Sequence, residues 1–208
     1  DAFVIGDLKD AIDAINAKLS QKSHPQWKER ILELKEKYPL DYNREVLTCP
    51  YVMEQIDKAT EGNAVITTDV GQHQMWAAQY CKFQKARTFS SSGGLGTMGY
   101  GLGAAIGGAT ATKKRTVLIT GDGSFGMNLN EVATAVSYNL PVTIVLFNNG
   151  VLGMVRQWQT LFYREKYSSK LDISRSLIVI FANNFIRFTL EEVVVYMVGA
   201  FLLAICAS

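Results

Sequence analysis

Two strand patterns that are apolar on both faces most constrain how this chain can fold. The first covers residues 116–120 and is followed by the letters GDGS, which predict a glycine-rich turn, and the second covers residues 142–147 and is followed by NNG. Between them, residues 129–138 have the apolar spacing of a helix. Strands without a polar face that alternate with helices are typical of a parallel sheet covered on both sides. The sequence therefore predicts an α/β fold of three layers.

The same alternation extends over residues 42–175, which we interpret as one domain. Further helix patterns cover residues 50–60, 70–80, 98–112 and 151–163, and short strand patterns cover residues 64–68 and 88–90. Residues 1–41 are more charged and contain two amphipathic helix patterns, at residues 8–19 and 25–38. They are predicted to be linker helices that precede the domain.

Residues 176–208 form a third section. A strand pattern at residues 177–181 is followed by an apolar, helix-like tail whose role is unknown, so we expect the sheet to be incomplete at this end. Residues 193–207 are apolar throughout, but this length falls short of the ~20 residues that a bilayer-spanning helix needs. A membrane span is therefore not expected.

Composition excludes several classes of partner and compartment. The 208 residues carry a net charge of +2, from 21 basic and 19 acidic side chains, which favours no nucleic acid and no membrane surface. The three cysteines, Cys49, Cys81 and Cys206, lie far apart and are predicted to be free thiols in a reducing compartment. We expect a cytoplasmic location, with a plastid or a mitochondrion as the alternatives.

A metal site is predicted where the two central strand patterns end. Asp122 follows the first strand and Asn149 follows the second, and the ends of neighbouring parallel strands meet at one edge of a sheet. Carboxylate and amide oxygens suit Mg²⁺ or Ca²⁺, and the glycines beside Asp122 allow backbone amides to approach an anion. The alternative is a helix-capping aspartate with a turn-forming Asn-Asn-Gly, which would bind nothing.

Several motifs in the same order resemble acetohydroxyacid (acetolactate) synthase large subunits. GDGS and NN resemble the diphosphate-binding signature of thiamine-diphosphate enzymes, and VGQHQMW, GGLGTMG and GMVRQWQ narrow the resemblance to the synthase. Another enzyme of the same fold, such as pyruvate oxidase or glyoxylate carboligase, is an alternative. A dinucleotide-binding domain is a further alternative, because residues 99–104 are similar to the glycine-rich motif of such domains.

The resemblance implies a role for each matching position. The implied metal ligands are Asp122, Asn149 and the backbone carbonyl of Val151. The implied substrate pocket contains Met154, Trp158 and Phe162. The implied contacts to thiamine diphosphate are Val70, Gly71, Gln72, His73, Gly96, Met98, Gly121, Asp122, Gly123, Ser124, Asn149, Gly153 and Met154. Among them, Gln72 and His73 are implied to contact the diphosphate, and Gly96 and Met98 belong to the segment implied to hold the aminopyrimidine ring. Core packing is the alternative for Met154 and Trp158, and a loop hydrogen bond is the alternative for His73.

The resemblance also implies the reaction: condensation of pyruvate with a second 2-keto acid, pyruvate or 2-ketobutyrate, in branched-chain amino acid biosynthesis. It implies Mg²⁺, FAD in the whole enzyme, a homodimer or tetramer, and a regulatory small subunit. Residues 1–19 resemble the end of the FAD-binding middle domain. The family's activating glutamate comes from an N-terminal domain that this sequence does not match, so no catalytic residue is assigned here. We therefore expect cofactor binding with little or no synthase activity.

Overall fold

The computed structural model describes residues 3–168, and the backbone of four short strands beyond them, at residues 177–182, 189–190, 193–194 and 205–206. The chain divides into two compact units, Asp1–Asp41 and Tyr42–Ser208.

The first unit contains helices α1 (Leu8–Asn16) and α2 (Pro25–Lys37). The Asp7 carboxylate accepts the backbone N–H groups of Lys9 and Asp10 and so caps α1, whereas α2 starts with a proline at its first position. Neither helix buries a side chain. The two predicted helices are therefore present.

The second unit contains six α-helices, one 3₁₀ turn and eight strands among its described residues. The helices are α3 (Cys49–Thr60), α4 (Gln72–Tyr80), α5 (Tyr100–Thr112), α6 (Asp122–Met127), α7 (Val132–Ser137) and α8 (Gly153–Phe162), and the 3₁₀ turn is Leu129–Glu131. The strands are β1 (Val65–Thr68), β2 (Phe89–Ser91), β3 (Thr116–Gly121), β4 (Val142–Asn148), β5 (Leu177–Ala182), β6 (Thr189–Leu190), β7 (Val193–Val194) and β8 (Ile205–Cys206).

Six strands form the main sheet in the order β2-β1-β3-β4-β5-β8. The first four are parallel, whereas β5 runs antiparallel to β4 and β8 antiparallel to β5. The two remaining strands, β6 and β7, form a separate antiparallel pair. The predicted parallel sheet is thus correct for its first four strands.

Hydrophobic packing covers both faces of the parallel part. On one face, Met53 of α3 and Ala77 of α4 belong to the same buried cluster as Ile119 of β3. On the other face, Leu102 of α5 packs in a second cluster with Leu118, the neighbour of Ile119 in the strand. Successive side chains of a strand point to opposite faces, so this division confirms the predicted three-layer α/β fold.

The segment after β3 differs from the prediction. The GDGS letters were predicted to form a turn, but Asp122 begins the six-residue helix α6, whose Phe125 is buried in the second cluster. So short a helix is stabilised by packing rather than by its helix propensity. Its two glycines disfavour a helix, so the sequence pattern did not predict one here. The single helix predicted at residues 129–138 is instead the 3₁₀ turn followed by α7.

The apolar tail also differs from the prediction where it is described. Val193 and Val194 lie in β7, and Ile205 and Cys206 lie in β8, so these positions are strands rather than helix. Three of the four are β-branched, which favours strands. The other tail residues lie outside the described part of the chain. Among the described helices, none combines the length and apolarity needed to cross a bilayer.

Candidate functional site at the carboxyl edge of the sheet

The ends of β3 and β4 lie side by side. The two strands are parallel, and Gly121 pairs with Phe147 in their register. Asp122 follows Gly121 directly, and Asn149 lies two residues beyond Phe147. Neighbouring strands are about 4.8 Å apart, so both side chains start from the same short stretch of the sheet edge. The structure therefore brings the two predicted metal ligands to one edge, Asp122 half-buried and Asn149 exposed.

The loop after β4 is shaped by its own asparagines. Asn148 Oδ1 accepts the N–H of Gly150 at 3.2 Å, and Asn149 Oδ1 accepts the N–H of Val151 at 3.1 Å. Gly150 has φ +65°, the left-handed conformation that favours glycine. The turn-forming alternative is thus present in the structure. It does not exclude the metal, because the Asn149 oxygen keeps a second lone pair.

Glycines bring four predicted cofactor segments together. A Cβ at Gly153 would lie 2.9 Å from Gln72 Cδ and 3.1 Å from Asn149 Nδ2. A Cβ at Gly123 would lie 2.9 Å from Leu152 Cδ2 and 3.5 Å from Met98 Cε. Side chains at these two positions would fill the space between the segments. The missing Cβ atoms therefore let these segments lie close together at the sheet edge, and we refer to the residues that they bring together, 70–73, 96–98, 121–124 and 149–154, as the cradle.

The loop after β1 joins the same cradle. Ser124 Oγ donates to the backbone oxygen of Val70 at 3.1 Å. The Val70 side chain in turn lies 3.8 Å from where a Cβ on Gly96 would stand, and Gly96 has φ +64°. These contacts connect the predicted diphosphate and aminopyrimidine segments. We therefore find Val70, Gly96 and Ser124 in one neighbourhood, as predicted, while their contacts to a ligand stay predictions.

His73 is buried next to Gly71 and Gly121, with 6% of its surface exposed, and its Nε2 atom has no hydrogen-bond partner within the described part of the chain. Burial lowers the pKa of His73 to about 4, and a hydrogen bond with the Asp69 backbone opposes that shift only in part. The imidazole is therefore neutral near pH 7. With its one proton in the hydrogen bond to the Asp69 backbone, the neutral ring leaves Nε2 as an acceptor, so a donor from water or a ligand would satisfy it.

We expect His73 to make the fold sensitive to acid. The unfolded chain binds this proton near the ordinary pKa of 6.5, but the folded chain binds it only near pH 4. Burial of the neutral His73 ring therefore costs the folded chain nothing in protonation above pH 6.5. As the pH falls to about 4, the free energy of unfolding decreases by about 3 kcal/mol. In His73→Asn, the unfolding free energy from urea titrations should fall less over this window. An identical pH dependence in both proteins would contradict the assignment.

Helix α8 places the predicted substrate side chains around a cavity of 620 Å³. Met154 and Trp158 line it, with Val155, Gln159, Tyr163, Lys166 and Ser168. Phe162 is not among the lining residues. Its ring packs edge-on against Trp158, with 5.3 Å between the centroids. The structure thus groups Met154 and Trp158 as predicted and gives Phe162 a supporting position.

Four residues near the cradle were not predicted from the sequence. Leu152 contacts the Gly123 position, and Gln157 Oε1 accepts the side-chain amide of Gln72 at 3.1 Å. Asp69 and Thr120 form a buried hydrogen bond between β1 and β3. Of these four residues, only Asp69 could have been found from the sequence, because it follows a buried strand just as Asp122 does.

The fold and the cradle define a class of cofactor-binding protein, and sequence comparison identifies it. Residues 69–188, more than half of the chain, match the family described as "Thiamine pyrophosphate enzyme, C-terminal TPP binding domain", and the chain belongs to that family. Thiamine pyrophosphate is thiamine diphosphate, so the predicted cofactor is confirmed at the level of the domain.

Several curated relatives of the chain are acetolactate synthases. The chain is 45% identical to acetolactate synthase 1, chloroplastic, of Nicotiana tabacum over 170 residues, which are 77% of this chain and 26% of the relative. It is 42% identical to the acetolactate synthase isozyme 2 large subunit of Escherichia coli (strain K12), over 78% of this chain and 30% of the relative. The isozyme 3 large subunit is also 42% identical, over 81% and 31%. The chain thus spans between 26% and 31% of their length.

Proposed function

We propose that the cradle binds thiamine diphosphate through one Mg²⁺ ion held by Asp122, Asn149 and the Val151 carbonyl. The observation that carries this proposal is the pairing of β3 with β4, which starts both side chains from one edge. An ion there would have one carboxylate, one amide oxygen and one carbonyl, which leaves positions for phosphate oxygens and water. Within residues 3–168, no three His, Cys, Asp or Glu side chains group as metal ligands, and we propose that phosphate oxygens and water complete this site.

The residues around the ion fit a diphosphate. Gly121 and Gly123 have no side chain to block its approach, and Gly153 lets the Gln72 side chain lie close to the loop after β4. Met98, which lies against Gly123, is in place to support the rest of the cofactor. These contacts are expected to bind and orient the cofactor while water is excluded.

We further propose that the whole protein is an acetolactate synthase large subunit that condenses pyruvate with pyruvate or 2-ketobutyrate. The names of the relatives support this activity. The bound cofactor supplies the electron sink for decarboxylation, and Met154 and Trp158 would orient the second keto acid. FAD, a homodimer or tetramer, a small regulatory subunit and the compartment remain proposals, and the relatives' names include both chloroplastic and bacterial proteins.

Calorimetric titration of the 208-residue chain with thiamine diphosphate tests the proposed site. We expect binding that Mg²⁺ strengthens at least about tenfold, because the ion links the diphosphate to Asp122 and Asn149. NAD serves as the control ligand, since a dinucleotide-binding domain would bind it without Mg²⁺. Binding of NAD, or of thiamine diphosphate with no Mg²⁺ dependence, would contradict the proposal.

Enzyme activity provides a separate prediction. We expect the chain by itself to form little or no acetolactate from pyruvate, because no catalytic glutamate is assigned among its residues. A colorimetric assay for acetolactate checks this expectation. Sustained turnover by these 208 residues would show that a catalytic group lies within them.

A further inference from the structure

We propose that Asp69 is a positioning residue that holds three of the four cofactor segments of the cradle in fixed positions relative to one another. The inference rests on the proposed function for the meaning of those segments, but its evidence is independent of any ligand. Asp69 follows β1 directly and is 1% exposed. A buried carboxylate is costly unless its oxygens are well hydrogen-bonded, so its partners show what it stabilises.

Each oxygen of Asp69 accepts a hydrogen bond from a different element. Oδ1 accepts the backbone N–H of Gly101, in the first turn of α5, at 2.8 Å. Oδ2 accepts the hydroxyl of Thr120, near the end of β3, at 2.7 Å. The backbone N–H of Asp69 also donates to Ile119 at 3.1 Å. One side chain thus joins the ends of β1 and β3 to the start of α5.

Asp69 also provides a cap that α5 lacks locally. The N-cap residue of α5 is Gly99, which makes no side-chain hydrogen bond to the helix, and the first-turn amides have no partner within the helix. A carboxylate beside those amides satisfies a donor and interacts well with the helix dipole. Asp69 can reach this position because Gly101 has no Cβ: one there would lie 2.8 Å from Asp69 Cγ.

Each of the joined elements is adjacent in the sequence to a predicted cofactor segment. Asp69 is followed by residues 70–73, and Thr120 by residues 121–124. Helix α5 is preceded by the loop that contains Gly96 and Met98. The proposed contacts to the diphosphate and to the aminopyrimidine therefore depend on the same buried carboxylate, although Asp69 itself is not proposed to touch the cofactor.

The geometry makes distinct predictions for four variants. Asp69→Ala removes both acceptors and leaves the Gly101 amide without a partner. Asp69→Asn can keep the network, because its oxygen can accept from Gly101 while its amide donates to Thr120, whose hydroxyl can turn to the Gly121 carbonyl, now 3.2 Å away. Thr120→Val removes one donor. Thr67→Val is the matched control, since the buried Thr67 hydroxyl in β1 has no hydrogen-bond partner among the residues that the structure describes.

Amide hydrogen exchange of the ligand-free full chain tests the positioning directly. In Asp69→Ala we expect exchange to rise at least about tenfold at Gly101 and in residues 121–124, with amides of α3 such as Met53 unchanged. Thr120→Val should raise the exchange rate only in residues 121–124. Asp69→Asn and Thr67→Val should raise it neither there nor at Gly101. An unchanged pattern, or an equal rise throughout the domain, would overturn the proposal. If Asp69→Ala does not fold, Asp69→Asn and Thr120→Val decide.

Calorimetry with thiamine diphosphate and Mg²⁺ then tests the link to the cofactor. We expect Kd to rise at least about tenfold in Asp69→Ala and about fivefold in Thr120→Val, and to stay within about threefold in Asp69→Asn and Thr67→Val. Unchanged affinity in Asp69→Ala would overturn the positioning role. If the unmodified chain binds no cofactor while the exchange pattern appears as expected, the proposed function fails and the joining of the three segments by Asp69 is supported.

Discussion

Replacing Asp122 by alanine is expected to weaken Mg²⁺-dependent binding of thiamine diphosphate by at least about a hundredfold. Loss of residues that merely orient metal ligands costs about 10–100-fold in metal affinity, and Asp122 would be the one charged protein ligand of the ion. Asp122 starts α6 at the cradle's edge and is half-buried, so its removal should leave the two core clusters intact. Calorimetric titration with and without Mg²⁺ measures the effect.

Two asparagine variants provide a second test and a control for the Asp122→Ala experiment. Asn149→Ala should also weaken Mg²⁺-dependent binding, by about tenfold or more, because it removes the neutral ligand at the end of β4. Asn130→Ala is its matched control, since Asn130 is exposed and donates only to the neighbouring Glu131 side chain among the bonds described. If Asp122→Ala bound the cofactor as tightly as Asn130→Ala, no ion would be held at this edge.

Replacing Gly101 by alanine is expected to destabilise the second unit by about 4 kcal/mol, a large share of the 5–15 kcal/mol that stabilises a typical domain. The added Cβ would lie 2.6 Å from Leu118 Cδ1, 2.8 Å from Asp69 Cγ and 2.9 Å from the Asp69 backbone nitrogen. All three neighbours are part of the buried interior, so little can move aside. The clash would also disturb the hydrogen bond between Gly101 and Asp69. Urea unfolding measures the loss.

Gly103→Ala provides the control on the same helix. No atom lies within 4 Å of a Cβ at Gly103, and the residue is exposed. Because alanine favours a helix over glycine by up to about 1 kcal/mol, this variant should be as stable as the unmodified chain or more so. Similar unfolding free energies for Gly101→Ala and Gly103→Ala would mean that α5 does not approach Asp69 as closely as described.

The sequence predicted the part of the site that depends on strand order. Residues 116–120 and 142–147 are apolar on both faces, which leaves few arrangements other than neighbouring parallel strands, and the structure pairs them. The positions of Asp122 and Asn149 at one edge follow from that pairing. The class of enzyme came from motifs in the right order, which the family match confirms.

Contacts between distant segments could not be predicted in the same way. The hydrogen bonds of Asp69 to Gly101 and Thr120 join residues 32 and 51 positions apart, and no local pattern encodes them. Helix α6 forms because Phe125 enters the core, although its glycines favour a turn. The tail was predicted as a helix from its apolar residues alone, which do not distinguish a buried helix from short strands.

A crystal structure of the chain with thiamine diphosphate and Mn²⁺ in place of Mg²⁺ would test the central claim most directly. Anomalous scattering locates the ion without reference to the protein. We expect one peak about 2.0–2.3 Å from a carboxylate oxygen of Asp122, the amide oxygen of Asn149 and the Val151 carbonyl, with the diphosphate on its other side. A peak that contacts only one of these residues, or a cofactor bound away from the ends of β3 and β4, would contradict the account.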